Sequence, residues 1–86
     1  MTTFTFNTND YRRLYGDILE GKTVSLTKPN GAAILVTADF NETMTLYASV
    51  QIITPEGQQL YAADVFEARD LRRFLQGQLY TQYNVA

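Results

Sequence analysis

A chain of 86 residues has room for one domain, and 45% apolar content is that of a globular protein rather than a disordered one. Seven Lys and Arg against nine Asp and Glu leave a net charge of −2, which argues against sequence-blind binding to nucleic-acid phosphates. Histidine and cysteine are both absent, which removes disulfides, thiolate metal sites and every nucleophile–base pairing that needs an imidazole or a thiol.

The opening Met1-Thr2-Thr3-Phe4-Thr5-Phe6 has neither the basic start nor the apolar stretch of a signal peptide. No apolar run approaches the roughly 18–20 residues of a membrane span, so the expected location is the cytoplasm, with no membrane partner. Thr3 to Phe6 alternates polar and apolar and predicts a short first strand, residues 3–6. Asn7, Thr8, Asn9 and Asp10 are all residues that cap helices, and Tyr11, Leu14, Tyr15, Ile18 and Leu19 then form one apolar stripe. A helix over residues 9–20 follows, stopped by Gly21.

Strand periodicity takes over in residues 22–28, before the turn Lys28-Pro29-Asn30-Gly31. Residues 32–40 are apolar on both faces, as in a central strand. Residues 44–53 alternate throughout, with Met44, Leu46, Ala48, Val50 and Ile52 on one side. Thr54-Pro55-Glu56-Gly57 turns the chain into a returning strand, residues 58–63. Asp64-Val65-Phe66-Glu67 is spelled like a capping box, which predicts a second helix over residues 65–80 with Ala68, Leu71, Leu75 and Leu79 inside. The tail, residues 81–86, has no pattern and is expected to fray. The expected fold is α+β: a two-layer sandwich in which a four- to five-stranded, mainly antiparallel sheet carries both helices on one face.

Three features carry functional expectations. The sheet face away from the helices presents Thr23, Ser25, Thr27, Leu35, Thr37, Tyr47, Gln51, Ile53, Tyr61 and Ala63. Tyrosine offers large contact area with few rotors, so Tyr47, Tyr61, Gln51 and Ile53 are candidates for a partner contact, as is Tyr83 beside the tail. The helices also carry arginines, Arg12 and Arg13 on the first and Arg69, Arg72 and Arg73 on the second, suited to phosphate or carboxylate through their planar forks. The acidic residues are scattered over caps and turns and show neither a catalytic pair nor a calcium loop. No catalytic, metal or cofactor residue is assigned, and no enzyme activity is expected.

The order from the first helix to the second is similar to the helix–three-strand–helix order of double-stranded-RNA-binding domains, which would imply phosphate contacts at the start of the second helix. In that family the stretch is basic; here Asp64-Val65-Phe66-Glu67-Ala68-Arg69-Asp70 is largely acidic, and the strand at residues 58–63 is additional. In size, acidity and lack of catalytic residues the chain also resembles the small proteins with which phages and plasmids block bacterial defence, anti-CRISPR proteins among them. That resemblance is of type and is carried by no motif. It implies a non-catalytic inhibitory module acting on a larger protein or nucleoprotein complex. The alternatives are a nucleic-acid or nucleoprotein binder using the helix arginines, with nucleic acid not the sole partner, and a self-assembling accessory protein, with a homodimer through the open face.

Overall fold

In the computed structural model, which describes residues 2–86, a reciprocal cap opens the first helix, α1 (Thr8–Leu19). The Asp10 amide donates to the Asn7 side chain at 3.0 Å, and the Asn7 amide donates to the Asp10 carboxylate at 2.9 Å. Two amides that a helix start leaves open are thereby satisfied. Tyr11, Leu14 and Ile18 are the buried face of α1.

An antiparallel meander follows: β1 (Val24–Thr27), β2 (Ala33–Phe40), β3 (Leu46–Ile53) and β4 (Gln59–Val65). The β1–β2 and β3–β4 hairpins are closed by the two proline-containing turns that the sequence predicts. Between β2 and β3, Asn41 organises the reversal: its side-chain oxygen accepts from the amides of Thr43 and Thr45 at 3.0 and 2.9 Å. Met44 lies in that turn at φ 62, so β3 begins at Leu46 and not at 44, and Met44 is 73% exposed instead of facing the helices.

The pairing of β3 with β4 shifts register between Val50 and Gln51, which opposes Val50 to Ala63 and Gln51 to Tyr61 and leaves Ala62 as the extra residue. One inserted residue reverses the parity of the strand. Ala63, expected on the open side, therefore lies beside Val50 on the helix side, and Tyr61 keeps to the open side.

The largest departures from expectation are at the two ends of the chain. Val65 is not the first residue of a helix; it continues β4, pairs with Ala48 and is buried. The second helix, α2 (Ala68–Leu75), is half the expected length, and Glu67 at its N-cap makes no side-chain capping bond. Gly77 at φ 80 ends it, a left-handed conformation that only glycine adopts at little cost. Leu79 is 49% exposed and not part of an inner stripe, while Tyr80 is completely buried.

The tail does not fray: Gln82–Val85 is a strand, β5, antiparallel to β1 with Val24 opposite Val85 and Leu26 opposite Tyr83. Residues 3–6, by contrast, form no strand of the sheet. Phe4 alone bridges Tyr80, through amide–carbonyl bonds of 2.8 and 3.0 Å. The fifth strand thus comes from the end of the chain and not from its beginning.

The sheet order is β4-β3-β2-β1-β5. Every pairing is antiparallel, so the two edge strands, β4 and β5, run parallel and α2 links them from one edge to the other. Both helices pack on one face, giving the α+β two-layer sandwich. Val24, Leu26, Ile34, Val36, Ala48 and Val50 meet Tyr11, Leu14, Ile18, Leu71, Leu75 and Tyr80 there. Each fully buried aliphatic side chain contributes about 1.5–3 kcal/mol. Among the described residues no helix is long and apolar enough to cross a membrane.

Candidate interaction surfaces

Alternation in β2, β3 and β4 fixes what the uncovered face presents. Leu35, Thr37 and Asp39 come from β2, Tyr47, Ser49, Gln51 and Ile53 from β3, and Gln59, Tyr61 and Asp64 from β4. The candidates Tyr47, Gln51, Ile53 and Tyr61 are thus brought onto one face in adjacent rows. Gln59 donates a side-chain hydrogen bond to Gln51, tying β4 to β3 across that face.

One end of the face concentrates aromatic rings and carboxylates. Tyr47 stacks on Phe66 with ring centroids 5.3 Å apart and planes at 29°. Its hydroxyl donates to Asp39 at 3.5 Å. Tyr61 projects beside Asp64 and is 68% exposed. Partial desolvation first, then the carboxylates of Asp39 and Asp64, hold the Tyr47 hydroxyl above its ordinary range; at Tyr61 partial desolvation and the Asp64 carboxylate act in the same direction. Phe66 and the two aspartates are residues that the periodicity argument passes over. A signal for them is present in the sequence: residues 33–65 contain Asp39, Glu42, Glu56 and Asp64 and not one lysine or arginine. A net charge of −2 conceals an anionic sheet under a helix layer that carries five of the seven cations.

Three of the five helix arginines have carboxylate partners at the surface. Arg13 pairs with Asp10 at 2.6 Å, Arg69 with Glu67 at 2.8 Å and Arg73 with Asp70 at 3.7 Å. Asp17, four residues after Arg13, pairs instead with Lys22 at 3.5 Å. Among the described residues Arg12 and Arg72 have no carboxylate within ion-pairing distance. These two, with Arg69, line a cleft of about 210 Å³ between α1 and α2. Tyr11 also lines that cleft; burial pushes its hydroxyl above the ordinary range, and the Arg72 charge opposes the shift.

Tyr83 belongs to neither surface. It lies on the helix side of β5 and packs edge-on against Phe6 at 5.5 Å, within a cluster that includes Phe4, Tyr11 and Tyr80. The cluster holds the N-terminal segment and β5 against the core, and Tyr83, 40% exposed, takes part in it while leaving one side open to solvent. Among the described residues no three Asp or Glu side chains gather as a metal-ligand set. No family model, curated protein or solved structure matches the chain.

Proposed function

We propose that this is a non-catalytic protein-binding module and that the aromatic–acidic end of its open sheet face receives a partner surface rich in arginine or lysine. The observation that carries the reading is the juxtaposition of Tyr47, Phe66 and Tyr61 with Asp39 and Asp64 on a face without basic residues. Aromatic faces attract guanidinium and ammonium groups through their quadrupole, and nearby carboxylates add charge complementarity. A second copy centred on this end of the face would bring like charges close together, which disfavours a symmetric dimer whose axis passes there. The narrower form, a mobile-element inhibitor that occludes a larger complex, draws on the chain's size, acidity and lack of a catalytic kit. Against a nucleic-acid binder using all five helix arginines stands the internal pairing of Arg13, Arg69 and Arg73.

The test is a titration of isotopically labelled protein with an arginine-rich peptide, with a glutamate-rich peptide as control. The expected result is amide shifts concentrated at Asp39, Tyr47, Tyr61 and Asp64, weakened by Asp39→Asn with Asp64→Asn. Shifts spread evenly over Glu42, Glu56, Asp17 and Glu20 would reduce the interaction to bulk charge and overturn the reading.

A further inference from the structure

A separate hollow lies between the helices, on the side of the sheet opposite the open face. On α1, Thr8 is three residues before Tyr11 and four before Arg12, and on α2, Arg72 is three residues after Arg69 and four after Ala68, so these pairs are neighbours on their helix surfaces, and all six residues line one cleft. The two surfaces form the walls of the 210 Å³ cleft, and no carboxylate lines it. A second hollow continues along the same seam, sharing Thr8, Tyr11 and Arg72 and adding Thr5, Asn7 and Gln76, again without a carboxylate. Of the three guanidiniums in the cleft only Arg69 is neutralised, by Glu67.

We propose that this cleft binds a phosphate group, with Arg12 and Arg72 clamping it from opposite helices and the Thr8 hydroxyl completing the contact. Arg12 and Arg72 come from different helices and neither is engaged by a carboxylate, so an anion in the cleft would gain both charges without displacing an existing ion pair. A tetrahedral phosphate carries up to two negative charges and directs its acceptor oxygens out of one plane, so it can take a fork from each wall, whereas a carboxylate has one charge and accepts its forks in a single plane. Size narrows the ligand further. The cleft is smaller than the roughly 300–1,000 Å³ of pockets that enclose drug-sized molecules, so it takes one charged group. The remainder of a larger ligand lies in the polar hollow beside Gln76 or in solvent. Free phosphate and a phosphomonoester share this chemistry.

The experiment follows the amides of Thr8, Tyr11, Arg12 and Arg72 while inorganic phosphate, O-phosphoserine, acetate or a short single-stranded oligonucleotide is added at constant ionic strength. Phosphate is expected to shift them and raise the melting temperature; acetate is expected to do neither. Response to phosphate alone identifies the free ion, and response to O-phosphoserine identifies the monoester; both support the site. Arg12→Gln and Arg72→Gln should each weaken binding about tenfold or more, the worth of one charged hydrogen bond, and leave the phosphate-free melting temperature unchanged or raised. Arg13→Gln, outside the cleft, should bind as the parent does. Equal shifts with acetate, undiminished binding by Arg72→Gln, or binding only of a short single-stranded oligonucleotide would each overturn the assignment.

Discussion

The covered and open faces of the sheet are drawn from alternate residues of the same strands, yet they do different physical work. On the covered face Val24, Leu26, Ile34, Val36, Ala48 and Val50 are each 0–1% exposed. On the open face Leu35, Thr37, Tyr47, Gln51 and Ile53 are half-buried, and Asp39, Tyr61 and Asp64 are exposed. Burial is concentrated on one side, and exposed tyrosine and aspartate side chains lie on the other. A step of one residue along a strand therefore moves a substitution from the first to the second.

The sharpest contrast is between truncations on the two sides. Leu26→Ala, at a site with 0% exposure, should cost about 2–5 kcal/mol in urea unfolding. A loss below about 1 kcal/mol would mean that the helix layer does not seal that face.

An alkaline titration sharpens the comparison next. Burial first, and then the Tyr11 charge, raise the Tyr80 hydroxyl well above the ordinary 10.0. Folded protein thus keeps a proton that the unfolded chain releases, so this contribution to stability is complete below about pH 10 and lost progressively above it. Tyr80→Phe should reduce the alkaline loss measured by unfolding at pH 9 and pH 11, and Tyr61→Phe on the exposed side should reduce it less. Equal effects would remove the distinction between a sealed and an open tyrosine.

A smaller change is expected from Phe66→Ala, which removes the stack on Tyr47 and should cost about 0.5–1.5 kcal/mol beyond the lost contact area. The smallest is Tyr61→Ala, within about 0.5 kcal/mol of the parent in stability, as for an exposed side chain without a structural role. Its effect should appear in peptide binding instead. A Tyr61→Ala variant that lost several kcal/mol of stability while binding normally would erase the division between the faces.

Legibility followed the range of the forces involved. The meander from β1 to β4 and the stripe of α1 were readable because periodicity and turn chemistry are local. Asp64-Val65-Phe66-Glu67 misled because its spelling is also local: a cap contributes about 1 kcal/mol, less than the roughly 1.5–3 kcal/mol gained by sinking a residue such as Val65 into the core. β5 has little alternation to announce it. Gln82–Val85 becomes a strand because β1 presents an unpaired edge whose amides and carbonyls need partners. Thr3 to Phe6 has the better strand pattern and makes one bridge, since that edge is already taken. In the candidate surfaces, Tyr47, Gln51, Ile53 and Tyr61 were readable from alternation, whereas Phe66 and the separation of Arg12 and Arg72 from the paired arginines were not.

By itself the sequence determined which residues along each strand are apolar, where the chain turns, and that imidazole and thiol chemistry are absent, because these are properties of residues and their immediate neighbours. Only the tertiary structure decided that the C-terminal residues complete the sheet, that the extra Ala62 sends Tyr61 and Ala63 to opposite faces, and that arginines from both helices line one cleft without a carboxylate. Those outcomes depend on which distant groups satisfy one another's hydrogen bonds, burial and charge, and no local pattern records that choice.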